Sequence, residues 1–209
     1  MSTTKLLIDQ VTHERQDRVL LNAVHIGLQA GQALQIRGAN GSGKSTLLRI
    51  LAGYMRPQAG RILWQDVCIH TALSTYQNRL HYIGHVNGLK PALTVTENCH
   101  LYLKLADAPL TPLAPVLAML CLTRYSDTPV KELSAGLARR AALAKLLLQT
   151  KPLWILDEPL TSLDTEGQAV FHDILQKHIQ QNGMAILATH HTIEINALQS
   201  LTLGETHAA

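Results

Sequence analysis

The sequence predicts an α/β fold: a mostly parallel sheet with an N-terminal antiparallel β part and an inserted helical subdomain. Three observations carry that expectation. Short apolar runs alternate with helical patterns along the chain. The runs at 153–156 and 185–188 are apolar throughout, as strands buried on both faces are. The segments 6–11 and 19–28 instead follow a period near two.

Taken in order, the two N-terminal segments read as antiparallel β structure leading into a first parallel strand at 33–36, after which 45–52 is helical. Strands follow at 62–64 and Leu80–Ile83. Helices are expected over Val95–Leu105, 115–122 and Ala135–Leu148, with Thr94 and Ser134 at the N-cap positions, and Thr128-Pro129 marks a break. The Pro-rich piece APLTPLAP at 108–115 joins helices inside the inserted part. A strand at 153–156, the helix Thr165–Gln180 and a strand at 185–188 complete the pattern. No internal repeat is present, and the expected organisation is one domain over 1–209 with the helical subdomain at about 87–148.

Composition narrows the function classes. With 46% hydrophobic and 16% charged residues, the chain has apolar area for a core, which excludes a disordered tail or a fibre. Three cysteines, odd in number and never spaced C-x-x-C, fit reduced thiols in a cytosolic chain. The net charge of +3 comes with no Lys/Arg block, so nucleic acid is not an expected partner. No apolar run approaches the ~18 residues of a membrane span, and the segment before Ile8 is too short for a leader, so a membrane role is expected to need another polypeptide.

Gly38-Ala39-Asn40-Gly41-Ser42-Gly43-Lys44-Ser45, followed by Thr46, fits G-x-x-x-x-G-K-[ST] between a strand and a helix. In that context glycines let successive backbone N–H groups point at phosphate oxygens and the helix start adds its dipole. Lys44 is placed to reach the β/γ-phosphates and Ser45 to bind Mg²⁺. A Gly-rich turn without a ligand is the plainer alternative. The apolar run ending at Leu156 stops in Asp157-Glu158-Pro159, which a parallel strand delivers to the carboxyl edge where ligands bind. There Asp157 would hold Mg²⁺ through its water shell, and Glu158 would accept a proton from a water attacking the γ-phosphate. Ser134, Ala135 and Gly136 open the helix Ala135–Leu148 and gather a hydroxyl and free N–H groups at one positive end. Spacing alone leaves open whether this is a second phosphate site or an ordinary capped helix.

Taken together, the cradle at 38–45, Leu133–Gly136 with Arg139 and Arg140, Asp157-Glu158-Pro159, Leu160-Thr161-Ser162-Leu163-Asp164 and Ala188-Thr189-His190 stand in one order. The chain resembles the ATP-binding subunits of ABC transporters over almost its whole length. The resemblance implies a P-loop NTPase of ABC type that uses ATP and Mg²⁺ and works as a homodimer formed on ATP binding. Each cradle would face the partner copy's Ser134–Gly136 segment, His190 would touch the γ-phosphate, and Asp164 would act across the interface.

A narrower likeness rests on Arg18-Val19-Leu20, Leu48-Arg49-Ile50-Leu51-Ala52-Gly53, Ile62-Leu63-Trp64-Gln65, Tyr82-Ile83-Gly84-His85 and Gly88-Leu89-Lys90-Pro91-Ala92-Leu93-Thr94. These are similar to the ATP-binding subunit of the cytochrome c maturation (Ccm) haem exporters. Ala135 and the short stretch after His190 agree with that. It implies a peripheral subunit at the cytoplasmic face of the bacterial inner membrane, docked on a membrane-spanning permease. Its ATP hydrolysis would serve haem export or release of a periplasmic haem chaperone, with haem-handling maturation proteins as further partners.

Three departures predict a slow ATPase. Val86 stands where the family has a metal-sensing Gln, and Gln77 lies too early to replace it. Leu137 ends the signature where Gln is usual. No aromatic for adenine occurs in His13-Glu14-Arg15-Gln16-Asp17-Arg18, so His13 or an arginine is the expected substitute. A regulatory ATP-binding module with little hydrolysis is the alternative function. A small-molecule kinase would leave 133–136 and 160–164 without a use. The eleven histidines, including His81/His85 and His190-His191, are not read as metal ligands, since His81 and His85 straddle the end of a strand and the others lack carboxylate or Cys company.

Overall fold

Alternation of side chains along the strands divides the molecule between two cores. A computed structural model describes residues 6–16 and 18–204. Asp17 and residues 1–5, on which the readings of the adenine segment and of the leader partly rest, lie outside them.

β1 (Leu6–Arg15) pairs antiparallel with β2 (Arg18–Leu28) and β4 (Ala59–Trp64), and β5 (Val67–Cys68) adds a short fourth strand, in the order β2-β1-β4-β5. The second sheet is parallel. It contains β3 (Ala33–Arg37), β6 (Leu80–Ile83), β7 (Leu153–Asp157), β8 (Met184–Ala188) and β9 (Leu198–Thr202), in the order β6-β7-β8-β3-β9. Every residue of β7 and β8 is buried, as their continuous apolar runs predict. Leu153 and Ile155 of β7 face a core shared with the antiparallel sheet and α1 (Lys44–Leu51), whereas Trp154 and Leu156 face the helical side.

The helical side holds α3 (Val95–Leu105), α4 (Ala114–Met119), α5 (Ala135–Leu148) and α6 (Thr165–Gln180). Thr94 caps α3 in a reciprocal capping box with Glu97, and Ser134 caps α5, both where expected. The predicted helix at 115–122 stops at Met119, and Cys121 takes a φ of +56° before a 3₁₀ turn over Thr123–Tyr125. Three elements were not expected: β5, α2 (Leu73–Gln77) and β9. The first two are too short to show a period, and β9 is a half-exposed edge strand whose LQSLT does not alternate cleanly.

Among the described residues no helix is long and apolar enough to cross a membrane. His178 stacks on Trp154 at 3.8 Å, and its Nε2 lies 3.1 Å from the Met184 carbonyl. Burial lowers its pKa to about 4 despite that hydrogen bond. His81, between the Gln149 carbonyl and the Tyr102 hydroxyl, is lowered by burial to about 3. These two histidines act as neutral packing groups.

Candidate functional site

The strand order β6-β7-β8-β3 places four carboxyl ends side by side. His85 follows the first, Glu158 the second, Thr189-His190 the third and the glycine loop the fourth. A cleft of about 590 Å³ opens there, lined by Asn40, Gly41, Gly43, Lys44, Ser45 and Thr46 from the loop and by Asp157 and Glu158 from the end of β7. The cradle and the carboxylate pair, far apart in sequence, thus share one cavity.

Gly38 shows why this loop cannot carry side chains freely. Its φ is +142°, and a Cβ there would lie 2.5 Å from both the Leu203 carbonyl and the Ser42 hydroxyl. Ser42 Oγ is itself buried and has no hydrogen-bond partner among the described residues. Lys44 is buried at the first position of α1, and its Nζ donates to the carbonyls of Gly38 (2.7 Å) and Ala39 (3.1 Å). A cation is therefore held over the loop that would receive phosphate. The Ser45 hydroxyl and the buried Asp157 carboxylate line the same cleft, a pair of hard oxygen donors of the kind Mg²⁺ takes.

Glu158 has a left-handed backbone with φ +48°, a conformation that costs a non-glycine residue of order 1 kcal/mol. Its N–H donates to the Ala188 carbonyl at 2.8 Å, tying the end of β7 to β8. From the next loop, His190 Nε2 reaches to 3.5 Å from Glu158 Oε1. The cleft is walled on its far side by Arg15, Gln16, Arg18 and Leu20 of the β1–β2 end.

Ser134 and Asp164 are not in this cleft. They line a second cavity of about 570 Å³ with Leu137, Arg140 and Tyr125, and the two cavities have no lining residue in common. Ser134 Oγ accepts the Leu137 N–H at 3.2 Å; Ala135 beside it is exposed. Asp164 caps α6 by accepting the Gly167 N–H at 2.9 Å and pairs with Arg140, which also binds Glu166 at 2.8 Å. The Arg140 hydrogen bond, with that of Gly167, holds the Asp164 carboxyl below its ordinary pKa. Gly136 packs so closely on the 160–164 loop that a Cβ would come within 2.5 Å of the Ser162 carbonyl.

Residues 21–161 match the ABC transporter family. The chain belongs to that family. It is an ABC-type ATP-binding subunit, homologous to proteins named cytochrome c biogenesis ATP-binding export protein CcmA. It is 41% identical to that of Shigella flexneri over 198 residues, covering 94% of this chain and 95% of the relative. Against that of Escherichia coli K12 the identity is 40% with the same coverage. Among solved structures, an ATP-binding cassette in a dimeric, post-hydrolysis state with ADP and phosphate superposes with a TM-score of 0.80 at 22% identity, covering 95% of this chain and 96% of that one. The ATP-binding subunit of another ABC transporter gives 0.79 at 23% identity, covering 90% and 80%. Both show the same fold.

Within this ABC ATPase, two of the three sequence departures take a different shape in the structure. Val86 is 81% exposed, and the side chain from that loop that lines the cleft is His85. The signal was available: His85 lies just beyond the end of β6, at the carboxyl edge of the sheet. Gln77 donates to the Ala52 carbonyl at 3.2 Å, away from the cleft. Of the expected adenine substitutes, Arg15 and Arg18 line the cleft and His13 does not; His13 Nδ1 is buried without a partner among the described residues. The third, Leu137, lines the second cavity with an apolar side chain.

Proposed function

We propose that this ABC ATPase is the energy-supplying subunit of an exporter in cytochrome c biogenesis, serving haem export or release of a haem chaperone. The observation that carries the nucleotide chemistry is the shared cleft: a glycine loop, Lys44, Ser45, Asp157 and Glu158 converge on it while Ser134 and Asp164 face elsewhere. One copy therefore holds half of each site, and a second copy, closing on ATP, supplies Ser134, Ala135, Gly136 and Asp164.

In this reading the loop amides of 38–45 and Thr46 cradle the triphosphate, and Lys44 exchanges its two carbonyl partners for β/γ-phosphate oxygens. Ser45 and Asp157 would hold Mg²⁺, which when bound neutralises charge developing on the phosphates. Glu158 accepts the proton of the attacking water, and His190, within reach of its carboxylate, contacts the γ-phosphate. Arg15 and Arg18 face the base in place of an aromatic ring.

Likeness to the CcmA proteins supports the pathway, a membrane-spanning permease as partner, and a peripheral position on the cytoplasmic face of the inner membrane. The loop at 85–91 and the start of α3 (Val95–Leu105) would carry the permease contact. Leu137, with no hydrogen bond to offer from its side chain, favours slow turnover and gives substance to a regulatory module as second reading. The test is purification from membranes with its bound polytopic protein identified, together with deletion of the gene. Loss of cytochrome c supports the proposal; normal cytochrome c and recovery with an unrelated permease reject the pathway.

A further inference from the structure

Arg139 and Arg140 are neighbours on α5 and equally buried, at 4% exposure, but only Arg140 meets carboxylates. Arg139 donates to neutral oxygens. Its Nη2 donates to the carbonyls of Asp157 (2.6 Å) and Glu158 (2.8 Å), and its Nε to that of Pro159 (3.3 Å). Its Nη1 donates to the Gly84 carbonyl (3.1 Å) and to Asn87 Oδ1 (2.9 Å). A guanidinium has five N–H groups in a rigid plane, and here each has an acceptor.

Those acceptors come from two segments with nothing in common in sequence. One is the strand end that carries Asp157 and Glu158. The other brackets His85, because Gly84 and Asn87 lie on either side of it. A strained residue such as Glu158, at φ +48°, persists only where its surroundings over-determine it. Its carbonyl accepts from Arg139 and from the Thr161 N–H (3.2 Å), and its own N–H is held by Ala188.

We propose that Arg139 is a positioning residue that locks 84–87 and 157–159 into one unit on α5, so that His85 and Glu158 are aimed together into the nucleotide cleft. This rests on the reading of Glu158 as proton acceptor. Burial disfavours the Arg139 charge, which its carbonyl acceptors and the nearby carboxylates of Asp157 and Glu158 offset in part, and a lysine, with three donors on a flexible stem, cannot reproduce the five-bond fork. Displacement of the 84–87 loop therefore moves Glu158.

The test uses the full chain with Arg139→Lys and Asn87→Ala. Arg139→Lys is expected to lower kcat about a hundredfold while KM for ATP stays within about threefold, the signature of lost positioning and not of lost binding. Amide hydrogen exchange should rise together in 84–90 and 157–163 and stay unchanged in 38–45. Asn87→Ala should lower kcat less, and should loosen 157–163 although the change lies in the loop. The proposal is overturned if exchange after Asn87→Ala rises in the loop alone, if Arg139→Lys keeps its kcat, or if Arg139→Lys loosens the cradle equally. Should Arg139→Lys not fold, Asn87→Ala decides by the same exchange readout. Glu158→Gln, assayed alongside, separates the two readings: unchanged turnover there rejects Glu158 as base, whereas the joint exchange response tests the lock itself.

Discussion

α1 and α5 both begin where an anion would be received, and they begin differently. α1 starts after Gly43, left-handed at φ +102°, with no side-chain cap. α5 starts after Ser134, extended at ψ 159°, whose hydroxyl already accepts a backbone N–H of the first turn. The start of α1 leaves its positive end to a ligand, and Lys44 waits over the loop. The start of α5 has one of its backbone donors already satisfied by its own side chain. Under the proposed function, a single copy takes up nucleotide at α1, and α5 contributes when a second copy's phosphate competes for Ser134.

The largest effect expected from this difference is on the α1 side. Lys44→Ala removes the one charged side chain of the cradle and should reduce ATP turnover about a thousandfold or more, with nucleotide binding by a single copy weakened as well. Retained affinity in a binding titration would break the comparison. On the α5 side, Gly136→Ala forces a Cβ against the Ser162 carbonyl and should lower turnover about a hundredfold by displacing the 160–164 loop from the interface. Nucleotide affinity measured at concentrations too low for pairing should be unchanged. Equal losses of affinity in both variants would show that the two helix starts serve one copy.

The effect expected to change turnover least, because it acts on stability, sharpens the comparison by setting its pH limits. His178 and His81 have folded pKa values of about 4 and about 3, depressed from 6.5, and stay neutral in the native state. Their contribution to stability is complete above about pH 6.5 and is lost as pH falls toward about 4 for His178 and about 3 for His81, because the unfolded chain takes up the protons first. Denaturant titrations over that window should show stability falling by up to ~1.4 kcal/mol per pH unit for each histidine. Substituting His178→Gln should flatten the slope by one proton. A slope unaffected by that substitution would show that His178 is not the titrating group.

What was legible in the sequence follows from how many residues each feature uses. β7, β8, α3, α5 and α6 were readable because burial on both faces or on one face repeats over enough residues to show a period, and Thr94 and Ser134 because a cap needs one particular side chain. The cradle and the pair Asp157-Glu158 were readable as contiguous motifs. His85 could be placed at the carboxyl edge from its position just after β6, but its coupling to Glu158 and the role of Arg139 could not be read, since both arise only when β6 is laid beside β7 and α5 crosses their ends. Likewise the choice between His13 and the arginines at the cleft mouth depends on the irregular register between β1 and β2, which shifts at His13 and Glu14. Periodicity does not reveal a bulge.

The central claim, that triphosphate is held between the cradle of one copy and the Ser134 helix of another, is tested most directly by the mass of Glu158→Gln in solution with and without Mg-ATP. With hydrolysis blocked, light scattering should report twice the chain mass in Mg-ATP and a single chain after the nucleotide is removed. A variant that binds Mg-ATP at saturation and stays a single chain, also with its membrane partner supplied, would contradict the account.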